Sequence, residues 1–125
     1  MNPKTRNIIN WVLAGLVAFI FIGSAFGKIS GAEESIKMAE SIGLDANTFL
    51  MLGIIEVIAV ILFLVPRTGI IGFLLLVAYM GGAIATHLEH EQSIMAPAII
   101  AAFVWIVGAV RFPELTQRLM GKTTS

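Results

Sequence analysis

Glu56 stands alone in an apolar run from Phe49 to Val65 that holds no other ionisable side chain. A carboxylate on a helix that crosses lipid costs about 2.5–3.5 kcal/mol on insertion scales, so such a residue faces a partner, a cavity or a proton path. Tyr79 is the natural partner. It lies seven residues before Thr86, as Glu56 lies seven residues after Phe49. If these two runs are antiparallel neighbours, both groups sit at one depth, roughly 10 Å below the same surface. A phenolic hydroxyl can donate to a carboxylate, which makes a Glu56–Tyr79 hydrogen bond the sharpest chemical expectation. The alternative is a neutral Glu56 bonded to whichever carbonyl is nearest.

Lys28 follows Gly23-Ser24-Ala25-Phe26-Gly27 at the end of the first apolar run. Its stem can carry the ammonium out to the interface, the ordinary disposition of such a lysine. The other arrangement turns it inward as a counter-ion to Glu56. His87 and His90 are the only histidines, one helical turn apart beside Glu89 and Glu91. That spacing suits a weak metal site or titration near neutral pH, but two solvated loop residues are the expectation, with no metal. A buried bis-histidine haem draws its ligands from facing helices, which one loop does not supply.

The chain has no cysteine, so a disulfide, a thiolate metal site and a cysteine-held iron–sulfur cluster are excluded within it. Any redox cofactor has to come from elsewhere. No phosphate-cradling glycine loop, nucleophile elbow or paired soluble carboxylates occur, and no catalytic residue can be assigned.

The elements that must position these groups are membrane spans. Hydrophobic residues make up 58% of the 125 and charged residues 13%, far below the charge a soluble surface carries. The formal net charge is zero, so nothing points to nucleic acid. Four apolar blocks stand out, at 8–27, 49–65, 69–86 and 95–110. Each approaches the length that crosses about 30 Å of hydrocarbon as a helix, and open strands cannot satisfy their backbone in lipid. The expected fold is therefore all-α: one domain over 1–125, an integral membrane four-helix bundle. The first block carries Lys4 and Arg6 before it and small residues after it, but its apolar core is too long for a cleaved signal peptide.

Pro66-Arg67-Thr68-Gly69 makes a turn short enough to force the second and third blocks into an antiparallel hairpin. Pro97 falls in the first turn of the last block and Pro113 just past its end, both positions where proline is tolerated. In the first extramembrane loop, Ser30 and Glu33 resemble a capping box, Ala32, Ile36 and Ala39 recur at helical spacing, and Gly43-Leu44 resembles a Schellman stop. A short amphipathic helix is expected there, with Asp45 or Asn47 capping the second span. Gly23–Gly27 and Ala78–Gly82 are expected to pack helices closely, Trp11 to anchor at the interface and Trp105 to pack deeper. The tail after Leu119 has nothing apolar to bury. Lys4, Arg6, Arg67, Arg111, Arg118 and Lys122 fall on one side of such a bundle, Lys28 and Lys37 on the other, which predicts cytoplasmic termini.

Four segments then stand in register: Gly23–Lys28, Gly53-Ile54-Ile55-Glu56, Val65-Pro66-Arg67-Thr68, and Tyr79 through His87. In this order the chain resembles the DoxX-like family of small four-helix membrane proteins, from the first span to Arg111-Phe112-Pro113. The resemblance implies a four-pass bundle in a bacterial or archaeal inner membrane, associated with quinol-oxidising or other membrane redox complexes. Carried over by position, it marks Lys28, Glu56, Thr86 and His87 as an outward-facing polar set.

These readings converge on an accessory subunit of a membrane redox complex, with no independent activity and with a quinone or other small amphipathic ligand bound by Glu56, Tyr79, Lys28, Thr86 and His87. Its expected partners are the lipid bilayer, redox-complex subunits and a second copy of itself. A proton-coupled small-solute transporter component and a membrane scaffold or assembly factor are the alternatives.

Overall fold

The computed structural model describes residues 2–122, and every regular element among them is helical. The helices are α1 (Pro3–Ser30), α2 (Glu33–Ser41), α3 (Ala46–Leu64), α4 (Gly69–Glu89), α5 (Met95–Arg111) and α6 (Pro113–Leu119). α1, α3 and α4 are each long and apolar enough to cross a membrane. α5 has 17 residues and continues into α6 through a 106° bend, so the pair supplies the fourth candidate span. The protein is an all-α membrane bundle.

Local chemistry explains where each helix stops. Asn2 accepts the Lys4 amide at 2.9 Å and Pro3 opens α1, while Gly31 closes it in the left-handed region at φ 72°. Ser30 is the last residue of α1, its hydroxyl donating to the Gly27 carbonyl, so the expected capping box does not form and Ala32 precedes α2 instead. The Schellman stop does form. Leu44 donates to the Ala39 carbonyl and Gly43 to that of Glu40 around a Gly43 φ of 73°. Asp45 then caps α3, accepting the Thr48 amide at 2.7 Å. That bond from the Thr48 amide is the main reason the Asp45 carboxyl lies below its usual range.

α3 ends because Pro66 forces Val65 into an extended conformation, and a single 3-10 turn over Pro66–Thr68 closes the hairpin to α4. Gly72 makes that hairpin tight: a side chain there would run into the α3 backbone at Leu62 and Phe63. α4 runs on to Glu89, so His87 belongs to the helix and only His90 begins the loop. α6, not anticipated from sequence, starts on Pro113 and closes with a further Schellman arrangement at Met120–Lys122, as α4 does around Glu91. Of the tail expected to be loose, residues 123–125 lie outside the described set.

Neighbouring contacts run α1 to α3, α3 to α4, α4 to α5 and α5 back to α1, while α2 packs on α1 and α3. The core between them is apolar and aromatic, built on Val17, Val60, Phe63, Phe73, Leu76 and Val104. Large apolar side chains such as Phe19, Phe26, Ile58 and Ile106 point outward from the bundle, a disposition that only a hydrocarbon solvent makes favourable.

Candidate functional site

Glu56 is 1% exposed and turned into the bundle. Three side chains converge on its Oε1. The Tyr79 hydroxyl donates from α4 at 2.8 Å, the Ser24 hydroxyl donates from α1 at 3.2 Å, and the Lys28 ammonium lies at 2.6 Å. Lys28 also donates to Ser24 Oγ, one helical turn away, so Ser24 bridges the ion pair. The Glu56–Tyr79 bond expected from matched depths is present. Lys28, expected to reach outward to the interface, instead turns inward with 10% of its side chain exposed.

The reason lies in the crossing of α1 and α3. Gly53 sits one turn from Glu56, and a Cβ added there would come within 2.9 Å of Lys28 Cβ and 3.3 Å of the Ala25 carbonyl. Without a side chain at 53, α1 settles against α3 and rotates Lys28 toward the carboxylate. The rings of Phe49 and Tyr79 then flank the ammonium at 5.1 and 5.9 Å, adding cation–π attraction to the ion pair. Charge and counter-charge are sheltered together, which is how a buried ion is tolerated.

A cavity of about 520 Å³ adjoins this cluster. Glu56, Tyr79, Lys28 and Ser24 form its polar part, and Thr86 and His87 line it farther along α4. Ile20 and Phe21 of α1, Leu52 of α3 and Ile100 of α5 supply apolar wall, and Met38 and Ile42 approach from α2 and its end. All five sequence-predicted site residues therefore border one space. Ala78 and Gly82 border it too; a Cβ at Gly82 meets nothing within 4 Å, so within the chain Gly82 leaves room instead of packing against another helix. Gly23 likewise has nothing within 4 Å, whereas Gly27 abuts Ser35 of α2.

The remaining polar groups are tied to backbone. Thr86 donates its hydroxyl to the Gly82 carbonyl at 2.8 Å, and His87 Nδ1 lies 2.7 Å from the Ala83 carbonyl. Since a carbonyl only accepts, Nδ1 carries a proton and donates it there. His90 does not border this cavity; its Nδ1 bonds the Thr86 carbonyl and its ring packs over Gly43.

Sequence reading missed two residues. Ser24 was legible only as one of three small residues, although its position four before Lys28 puts both on one helical face. Arg111, taken as an interfacial charge, is 8% exposed at the other end of the bundle. It donates to Asn10 Oδ1 at 2.9 Å, the Leu64 carbonyl at 2.9 Å and the Phe63 carbonyl at 3.4 Å. Its guanidinium lies 4.5 Å from the Trp11 ring, so Trp11 packs on a charge as well as facing outward. Trp105 is half-exposed and edge-on to Phe73 at 5.2 Å.

Apolar spans, an outward-facing hydrocarbon surface and an internal ion pair define a small multi-pass helical membrane protein. The chain belongs to the DoxX-like family, which it matches over residues 12–109. No curated protein and no solved structure matches it. The match spans Lys28, Glu56, Tyr79, Thr86 and His87 and stops short of Arg111.

Proposed function

We propose that the protein is an accessory subunit of a quinone-linked membrane redox complex, and that its own contribution is to bind a small amphipathic ligand of the quinone class beside Glu56. The observation carrying this reading is the buried Lys28–Glu56 pair at the edge of a largely apolar cavity of about 520 Å³. Ligand pockets span roughly 300–1,000 Å³ and combine apolar walls with a few placed polar groups, so size and lining both suit a ring with a hydrocarbon tail. Membership of the DoxX-like family supports the redox setting. The excess of Lys and Arg at the end bearing both termini supports cytoplasmic termini, with the cavity in the outer half of an inner membrane.

The test is a titration of an alkylated quinone and its quinol into protein held in lipid nanodiscs. Saturable binding of at least one of them, weakened at least about tenfold by Gly82→Leu, is expected, since that side chain would occupy the open space. Titrations of wild type that match empty nanodiscs would remove the ligand-binding role. Purification from native membranes without any redox subunit would remove the accessory role separately.

A further inference from the structure

The donors that face Glu56 are committed chiefly to Glu56 itself, whereas one of its two oxygens is not committed. Ser24 and Tyr79 direct their hydroxyls to Glu56 Oε1, and Lys28 directs its ammonium to the same oxygen and to Ser24. Thr86 directs its hydroxyl to the Gly82 carbonyl. His87 commits Nδ1–H to the Ala83 carbonyl. One Lys28 hydrogen and the Thr48 hydroxyl apart, lone pairs are what remain. No described residue hydrogen-bonds to Glu56 Oε2 or to His87 Nε2, and the Thr86 oxygen keeps its acceptor capacity.

We propose that this cavity selects a neutral amphipathic ligand whose head group donates hydrogen bonds, an aromatic diol with an apolar tail, over the same ring bearing only carbonyl or ether oxygens. The inference rests on the ligand-binding reading above; for a quinone-class ligand it specifies the reduced, dihydroxy form. Neutrality follows from charge balance, because Lys28 already compensates Glu56 and a second cation or anion would be left unpaired. Discrimination follows from the cost of burying an acceptor against an acceptor. A carbonyl-only head gives Glu56 Oε2 no proton and displaces whatever water solvates it.

The experiment compares three ligands on wild-type protein in nanodiscs, read by calorimetric titration against empty nanodiscs: an alkylhydroquinone, its dimethyl ether and the matching benzoquinone. The hydroquinone is expected to bind roughly ten- to a hundred-fold more tightly than either of the others. Glu56→Gln adds a second readout. Lys28, Ser24 and Tyr79 would hold the amide oxygen and leave the amide NH₂ toward the cavity, turning an acceptor into a donor. The preference should then shift toward the benzoquinone. Wild-type affinity for the ether or the benzoquinone equal to that for the hydroquinone overturns the donor requirement while leaving a ligand pocket in place. Absence of saturable binding by all three overturns the pocket and this inference together. The wild-type series stands by itself if Glu56→Gln does not fold.

Discussion

Among the described residues Glu56 and Arg111 are the most deeply buried of the ionisable types, and they are held in opposite ways. Arg111 is enclosed by protein: its donors go to Asn10 and to the last carbonyls of α3, and the rings of Trp11, Phe63 and Phe112 surround its plane. Those carbonyls need a donor because α3 ends at Leu64 and leaves its last carbonyls without helical partners, while the Leu62 carbonyl, which Pro66 has no amide to serve, takes the Thr68 hydroxyl. Arg111 thus ties α5 and α1 to the end of α3. Glu56 is instead held by one oxygen, with the other given no protein donor at the border of a cavity. One charge completes the fold, and the other is arranged by the fold and left available.

The largest effect should come from separating the ion pair. Lys28→Met strands Glu56 inside the bundle, and loss of one partner of a buried pair costs about 3–5 kcal/mol. Adding Glu56→Leu to that variant should recover most of the stability, measured by reversible unfolding in detergent, while abolishing ligand binding. Failure of the double variant to recover would mean that the pair is structural, as Arg111 is.

Arg111→Met comes next. It removes charged donors from Asn10 and from two backbone carbonyls, with an expected loss of about 2–3 kcal/mol. A second change at Asn10 should not rescue it, because the carbonyls of Phe63 and Leu64 remain unpaired. Ligand affinity measured below the melting temperature should be unchanged; a large fall in affinity would collapse the distinction between the two charges.

Gly82→Leu sharpens the comparison from the cavity side. Ligand affinity should fall while thermal stability holds or rises by about 1 kcal/mol, since a helix-interior glycine is replaced where space is open. The smallest effect belongs to Asp45, an exposed cap. Its folded-state carboxyl lies below the usual range, so its contribution is present above the unfolded value and disappears as pH falls through the folded one. The melting-temperature gap between wild type and Asp45→Ala should therefore be small at pH 7 and close below about pH 4. A gap that widened with acid would contradict the cap.

Much of this architecture was legible because lipid leaves the chain few choices. Long apolar runs have to be helices, a four-residue Pro-to-Gly turn has to make a hairpin, and a fixed rise per residue puts Glu56 and Tyr79 at one depth. The Gly43–Asp45 segment was equally readable, since Schellman closure and N-capping depend on residues next to one another.

What sequence by itself determined was therefore axial: which segments are helices, where most of them end, and that Glu56 must avoid the acyl chains. Rotation about each helix was decided only by tertiary structure. The crossing at Gly53 turned Ser24 and Lys28 inward, the packing of α5 on α1 and α4 brought Arg111 to the end of α3, and the convergence of three donors on one oxygen left the other without a protein donor. Depth is a sum over residues along one helix, whereas rotational phase is set by side chains that meet across helices.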